Sequence, residues 1–149
     1  MRAVVTRVSR ASVSVSGRMV GAIKRGFLIL LGVRTDDTED VAVKMAEKIC
    51  NLRIFADENG KMNLDLRSAG GELLIVSNFT LYADTGSRRP GFMNAARPDF
   101  ANPLFKRVVS ECKIRGIHVE TGEFGAEMDV ESINDGPVTI IMEVPALSE

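Results

Sequence analysis

Residues 77–84 combine several groups that could surround a carbonyl oxygen. They are Ser-Asn-Phe-Thr-Leu-Tyr-Ala-Asp, and they lie between an apolar run and a long polar loop. A rigid strand fixes the groups at its end, so such junctions often carry active-site residues. Two hydroxyls, an amide and backbone N–H groups could stabilise a carbonyl oxygen as it gains charge. On spacing alone, a polar strand end without function is the favoured interpretation.

Residues 134–139, Asn-Asp-Gly-Pro-Val-Thr, form a second segment that is rich in turn formers. One interpretation is a hairpin turn between the last two strands. The other is functional, because a cis Gly136–Pro137 bond, a state that only about 5–6% of such bonds adopt, could point two carbonyl oxygens the same way. Those oxygens would suit an α-ammonium group with its three N–H donors. Spacing does not decide between the two.

Several familiar kinds of catalysis find little support in the sequence. A serine-hydrolase triad needs a base beside its nucleophile, and the only histidine, His118, begins a predicted strand elsewhere. HExxH, CxxC, EF-hand and Walker patterns do not occur, so we expect neither a metal nor a cofactor. Cys50 and Cys112 fall in helical patterns and are predicted to be buried free thiols.

The elements that must position both segments are predicted from hydrophobic periodicity. The continuous apolar run at 27–33 indicates a central strand buried on both faces, and Ser16-Gly17 indicates a tight hairpin turn. The predicted strands are 2–8, 12–16, 19–23, 27–33, 53–56, 62–66, 73–77, 117–121, 128–133 and 138–144.

Two helices complete the prediction. The first is capped by Asp37 or Thr38. The second runs over 99–115, and residues 83–98 form a long loop of the kind that often has a function. The inner side of the second helix is predicted to hold Phe100, Leu104, Phe105, Val108, Val109 and Cys112. Residues 1–149 therefore predict one α+β domain, a largely antiparallel curved sheet or barrel with two main helices.

Charge and hydropathy limit the partners. The net charge is −1 and the sequence pI about 5.9, so the protein lacks the strong basic field of a general nucleic-acid binder, and we expect no DNA partner. Arg88 and Arg89, adjacent in the long loop, are candidates for a local RNA contact. No apolar run could cross a bilayer and the opening lacks a signal-peptide core, which predicts a cytoplasmic protein. A second basic patch could be formed by Arg7, Arg10, Lys24 and Arg25, but solvated surface is the favoured interpretation of these four.

The segments SNFTLYAD and NDGPVT resemble the two signature segments of the D-aminoacyl-tRNA deacylases. The similarity extends over nearly the whole chain, through MRAVVTRVSRASVSV, LRIFADENGKMNLDL, RRPGF and FGAEM. Two departures stand out: Asn78 replaces the family's usual glutamine, and Gly91 its usual serine. The amide of Asn78 is one methylene shorter, so its hydrogen bond could be lost, lengthened or bridged by water. Rate or substrate preference could change as a result.

The resemblance implies a cytoplasmic homodimer that hydrolyses the ester between a D-amino acid and tRNA, as proofreading in translation. Glycyl-tRNA would be accepted to some degree. Ser77, Phe79 and Thr80 would be catalytic, with the amides of Phe79 and Thr80 polarising the carbonyl and Phe79 also positioning the terminal adenosine. The implied substrate-binding residues are Asn78, Met128, Gly136 and Pro137. Further pocket or tRNA contacts would be Phe124, Arg88 and Arg89, although Met128 and Phe124 could simply belong to the core.

The same resemblance implies how chirality is read and leaves two routes for hydrolysis. Carbonyls of a cis Gly136–Pro137 bond, contributed by the partner subunit, would bind the α-ammonium group and exclude L-side chains. Thr80 could act as a nucleophile, or the terminal 2′-hydroxyl of the tRNA could assist attack by water. The second route is favoured because no base near Thr80 is visible in the sequence.

Three other functions stay open. A non-catalytic RNA-binding dimer is disfavoured by the acidic pI and the lack of aromatic RNA-binding motifs. A general small-molecule esterase is disfavoured by the missing triad. A related deacylase that clears glycine or a small L-residue is kept open by Asn78.

Overall fold

The computed structural model describes residues 1–145, and its sheet is organised around one long strand. β1 (Arg2–Val15) turns through Ser16 and Gly17 into β2 (Arg18–Ile23). Both turn residues have positive φ, 50° and 79°, as the tight hairpin turn requires. The remaining elements are β3 (Gly26–Gly32), α1 (Glu39–Asn51), β4 (Phe55–Ala56), β5 (Met62–Leu64), β6 (Glu72–Ser77), a 3-10 helix (Phe79–Tyr82), α2 (Pro98–Ile114), β7 (Val119–Thr121) and β8 (Asp129–Glu143).

The strand pairing makes a curved, largely antiparallel sheet. Along one edge, β1 pairs antiparallel with β3 over its first half and with β2 over its second half, while β8 pairs antiparallel with it along the other edge. β3 continues to β6 and β6 to β7, both in parallel. The sheet curls until β2 meets β7, so closely that a Cβ on Gly21 would lie 2.7 Å from the Thr121 carbonyl oxygen. The predicted α+β fold with two main helices is confirmed.

Residues of β3 alternate between two apolar clusters, which explains its unbroken hydrophobic run. Phe27, Ile29 and Leu31 belong to the cluster that the helices cover. Leu28 and Leu30 face a second cluster on the opposite side of the sheet, with Val8, Val13, Leu74 and Val76. The predicted central strand is therefore buried on both faces, as strands with parallel neighbours commonly are.

The last strand corrects the sequence prediction. Separate strands at 128–133 and 138–144 with a hairpin turn between them are wrong, because both halves belong to β8 and run in one direction along β1. A hairpin would have reversed the chain. Instead, β8 leaves its pairing with β1 after Asn134 and resumes it at Thr139. The turn-forming residues here build a bulge.

The helices largely follow the prediction. Thr38 caps α1 by accepting a hydrogen bond from Val41 N at 3.3 Å. Asp37 is buried instead and accepts from the Met1 amino group and from Arg34 N, at 2.8 and 2.7 Å. Neither helix in residues 1–145 is long and apolar enough to span a membrane.

Phe100 does not lie on the inner side of α2 as predicted, because it is 44% exposed. The buried stripe of this helix consists of Ala101, Leu104, Phe105, Val108 and Cys112. The centre of that stripe lies about one residue's rotation, roughly 100°, away from Phe100.

We expect Phe55→Ala to destabilise the protein by about 3–5 kcal/mol, because it removes a fully buried ring and leaves a cavity. Phe55 stacks on Phe27 with ring centroids 5.1 Å apart and fixes the β4–β5 hairpin to the core. Urea denaturation measures the loss, and Phe100→Ala is the matched control, with an expected loss below about 1 kcal/mol. Equal losses in the two variants would contradict this account of the core.

Candidate active site

The segment predicted as a strand end is a tight helical turn. Ser77 ends β6, and Asn78 N donates to the Leu31 carbonyl of β3 at 2.8 Å. The chain then winds into the 3-10 helix, in which Leu81 N donates to the Asn78 carbonyl at 3.3 Å. The first amides of such a turn have no acceptor inside it. The N–H groups of Phe79 and Thr80 are thus available to an external oxygen.

Asn78 and Thr80 are joined across this turn. Thr80 Oγ1 donates to Asn78 Oδ1 at 2.5 Å. An amide oxygen is a neutral acceptor and does not remove the hydroxyl proton, so this contact orients Thr80 without activating it. His118 lies beyond the opposite end of β6, where its Nε2 is 3.5 Å from Glu120 Oε2. It is too remote to act as a base for Thr80.

A cavity of about 480 Å³ opens beside the turn. Ser77, Asn78, Phe79 and Phe124, all predicted site residues, line it. The exposed ring of Phe79 meets that of Phe92 edge to face, with centroids 5.1 Å apart. Apolar walls with a few polar groups at one side are typical of sites for small organic ligands.

The opposite wall was not predicted as part of the site. It comes from the end of the long loop and from the first turns of α2, and it consists of Phe92, Ala95, Ala96, Pro98, Ala101 and Phe105. Three of these residues are alanines, whose small side chains leave the space open. The length of the loop pointed to this region, but no spacing rule selects its individual residues.

The 3-10 helix is held from beneath by Arg2. Its Nη1 donates to the Leu81 carbonyl at 2.6 Å, its guanidinium lies over the Tyr82 ring, 4.8 Å from the centroid, and its Nε pairs with Glu143. The Tyr82 hydroxyl donates to Glu143 Oε2 at 3.4 Å. Burial and the nearby Glu143 carboxylate raise the pKa of Tyr82, so the hydroxyl stays protonated as a donor.

The second segment bulges out of β8. Along β1, Thr6 pairs with Thr139 and Val8 with Asn134, so four residues of β8 oppose a single residue, Arg7. The Asn134 side chain closes the bulge, since its Nδ2 donates to Thr139 Oγ1 and its Oδ1 accepts from Val138 N, both at 2.8 Å.

Arg7 fixes the bulge from the neighbouring strand. Its Nε donates to the Asp135 carbonyl at 3.0 Å and its Nη1 to the Ile54 carbonyl at 2.7 Å. The side chain is only 14% exposed, so the interpretation of Arg7 as solvated surface is wrong. The bulge that covers Arg7 comes from β8, far away in the sequence, so the local residue pattern does not show this contact.

Gly136 and Pro137 are exposed on this bulge, and the bond between them is cis. Gly136 has φ +139°, and a Cβ there would lie 2.7 Å from Val138 Cγ2, so only glycine fits. Neither residue lines the cavity beside Phe79 in the same chain.

The other candidates are spread around these two segments. Phe124 both lines the cavity and packs against Phe105, with ring centroids 5.7 Å apart. Met128 does not line the cavity and packs against the second apolar cluster beside Gly122. Arg88 and Arg89 are exposed in the loop beyond the Asp84–Gly91 bridge. Across residues 1–145, no group of three or more His, Cys, Asp or Glu residues could hold a metal ion.

Known proteins resemble this chain over almost its full length. The family model described as D-Tyr-tRNA(Tyr) deacylase matches residues 4–143. D-aminoacyl-tRNA deacylases of Thermus aquaticus and of Clostridioides difficile strain 630 are each 55% identical over 144 residues; the match covers 96% of this chain in both cases and 95% and 97% of theirs.

Two solved structures share the fold. A c-Myc DNA unwinding element binding protein is 39% identical with a TM-score of 0.92, and the match covers 98% of this chain and all of the other. A probable eukaryotic D-amino acid tRNA deacylase has a TM-score of 0.82 at 16% identity, over 95% of this chain and 97% of the other. That second likeness shows the fold alone.

We expect Asn134→Ala to loosen the bulge while leaving the rest of the sheet intact. It removes both hydrogen bonds that close the bulge, each of which contributes about 1 kcal/mol. Hydrogen exchange of the Val138 amide should therefore accelerate by about tenfold or more, while amides of β3 keep their protection. The exposed Asn59→Ala serves as the control, and unchanged exchange at Val138 would refute the role of Asn134.

Proposed function

This chain belongs to the D-aminoacyl-tRNA deacylases, hydrolases that act on ester bonds, and we propose that it cleaves its substrate ester in the cavity beside Ser77, Asn78 and Phe79. The observation that carries the proposal is the 3-10 helix at the end of β6, which begins beside an apolar cavity of about 480 Å³ that Asn78 and Phe79 line. The 3′ end of an aminoacyl-tRNA has an aromatic base for such a cavity, and its ester has a carbonyl oxygen for the free amides of that helix.

The amides of Phe79 and Thr80 polarise the ester carbonyl. As water attacks, the carbonyl oxygen gains negative charge, and donors already held in place stabilise it without reorganisation. Two hydrogen bonds support this rigidity: Asn78 N donates to the Leu31 carbonyl of β3, and Arg2 donates to the Leu81 carbonyl. The Ser77 hydroxyl, at the cavity wall, supplies a further donor.

The hydrolysis is assisted by the RNA. Thr80 has the neutral Asn78 amide oxygen as its partner, which does not turn its hydroxyl into a nucleophile. The vicinal 2′-hydroxyl of the terminal adenosine is adjacent to the ester in the substrate itself and orients the attacking water. The protein contributes position and electrostatic stabilisation, effects that together supply much of a typical enzyme's rate enhancement.

The Phe79 ring positions the terminal adenosine. It is 57% exposed, unusual for a phenylalanine at the edge of an apolar cavity, and its T-shaped contact with Phe92 limits its motion. Aromatic faces stack on unpaired bases, which suits the single-stranded 3′ end of a tRNA. Arg88 and Arg89 contact the phosphate backbone nearby.

Chirality is read by carbonyl oxygens of Gly136 and Pro137 from the partner subunit of a homodimer. Support comes from their exposure on the bulge and from their absence among the residues that line the cavity of the same chain. The oxygens bind the α-ammonium group and leave no room for an L-side chain, so selection works by rejection. Glycine, which has no side chain to reject, is hydrolysed to some degree.

The biological role that follows is proofreading of aminoacyl-tRNA in the cytoplasm. Hydrolysis returns free D-amino acid and intact tRNA. Asn78, in place of the usual glutamine, modulates rate or substrate preference through its contact with Thr80.

Purified protein should cleave D-tyrosyl-tRNA faster than L-tyrosyl-tRNA by at least about 100-fold, or about 2.7 kcal/mol. Pro137→Ala should narrow that ratio by about tenfold or more, because it disturbs the oxygens that exclude the L-side chain. Matched deacylation assays at equal enzyme concentration measure both. Pro145→Ala, at the cis Val144–Pro145 bond, is the control and should keep the ratio.

A mixing experiment tests the partner's contribution. Phe79→Ala and Pro137→Ala each damage one half of the shared site, so a mixed dimer has one intact site and should regain D-selective activity. If activity stays at the average of the two variants, Gly136 and Pro137 act within their own chain or not at all.

Thr80→Ala should reduce kcat/KM by no more than about tenfold, whereas loss of a true nucleophile costs several orders of magnitude. A substrate with a 2′-deoxy terminal adenosine should be cleaved about 100-fold more slowly or worse, the contribution of a positioned hydroxyl. Thr85→Ala in the exposed loop is the matched control. Abolished turnover with intact binding in Thr80→Ala, or full turnover of the deoxy substrate, would sink the RNA-assisted route.

A further inference from the structure

Two cysteines far apart in sequence meet where the two helices pack together. Cys50 lies in the last turn of α1 and Cys112 in the last turn of α2. They are buried, 6% and 0% exposed, within the same apolar cluster. Their side chains are close enough for the Cys112 thiol to donate a hydrogen bond to the Cys50 sulfur.

The surroundings of the two sulfurs differ. Cys50 lines a pocket of about 110 Å³ together with Arg67 and Arg115, whereas Cys112 does not reach it. Arg67 donates to the Arg115 carbonyl, which fixes the Arg67 guanidinium at the end of α2. The Nε of Arg115 is buried and has no hydrogen-bond partner within the part of the chain that the structure describes.

These surroundings favour the thiolate form of Cys50 but not that of Cys112. The hydrogen bond from Cys112 and the positive charges of Arg115 and Arg67 lower the pKa of Cys50. Burial and the Asp65 carboxylate act in the opposite direction but do not outweigh them. The hydrogen bond to Cys50 and burial raise the pKa of Cys112. The C-terminal end of a helix carries partial negative charge and therefore disfavours a thiolate. The two guanidinium groups offset this effect at the end of α1.

We propose that Cys50 is a redox-reactive thiol which small hydroperoxides oxidise, and that Cys112 resolves the product as an intramolecular disulfide between α1 and α2.

The Cys50 thiolate attacks one oxygen of the peroxide, and the O–O bond breaks. The sulfur loses two electrons and becomes a sulfenic acid, while the departing oxygen takes a proton and leaves as an alcohol, or as water when the oxidant is hydrogen peroxide. The Cys112 sulfur then attacks the Cys50 sulfur, a disulfide forms, and the two hydrogens leave with the sulfenic oxygen as water.

The pocket sets the size of the oxidant. A water molecule's share of liquid volume is about 30 Å³, so a pocket of about 110 Å³ admits hydrogen peroxide or a short alkyl hydroperoxide. Bulky aromatic disulfide reagents do not fit. Access through the pocket also predicts the order of events, because only Cys50 borders it.

The experiment uses the full chain with stoichiometric hydrogen peroxide, followed by alkylation and non-reducing peptide mass mapping. The wild-type protein should lose both free thiols and yield a Cys50–Cys112 peptide from monomeric chains. Cys112→Ser should accumulate a sulfenic acid on Cys50, which dimedone traps when urea unfolds the protein after the peroxide has been removed. Cys50→Ser should slow oxidation of the remaining thiol by at least about tenfold, and retained deacylation of tRNA ester confirms that both variants are folded.

Three results would overturn the proposal. Both thiols could persist in the native protein until urea unfolds it, which would make them ordinary core residues. Dimedone could label Cys112 in Cys50→Ser as fast as it labels Cys50 in Cys112→Ser. The disulfide could link two chains and leave no intramolecular peptide. Early time points on the wild-type protein, which show which sulfur is labelled first, give the same decision without any variant.

Discussion

Hydrogen bonding along both edges of β1 is the constraint on which the structure depends. One edge is shared by β3 and β2, and the other is occupied by β8. β3 in turn places β6, and the end of β6 places the 3-10 helix with its free amides. The bulge with Gly136 and Pro137 lies on the other side of β1. Both segments of the site are therefore located by the register of one strand.

The local features of this protein were predictable from sequence because local residues determine them. Ser16-Gly17, Thr38 and the burial of β3 on both faces follow from backbone preference, capping and hydrophobic pattern. The sequence predicted two separate strands on either side of residues 134–137, because the residue types that build a turn also build a bulge. What separates the two is pairing with β1, more than a hundred residues away, and no local pattern carries that information.

The site shows the same division. Ser77, Asn78 and Phe79 were predicted together because they adjoin in sequence and resemble a family segment, and they line one cavity with Phe124. The wall from Phe92 to Phe105 was missed, since alanines and a proline carry no chemical signal. Arg7 was interpreted as surface because its partners, the carbonyls of Ile54 and Asp135, come from distant parts of the chain. Only the tertiary structure shows that the bulge in β8 covers Arg7.

The pairing of β1 with β8 also has a consequence for how the protein is made. Arg2 pairs with Glu143, 141 positions later, and the bulge lies within that last strand. Contacts of such long range slow folding, because loop closure costs entropy before the contacts compensate. During synthesis the residues of the cavity, the 3-10 helix and both helices emerge from the ribosome before those of β8. In a nascent chain, the segment proposed to bind the ester is thus available some time before the segment proposed to read chirality.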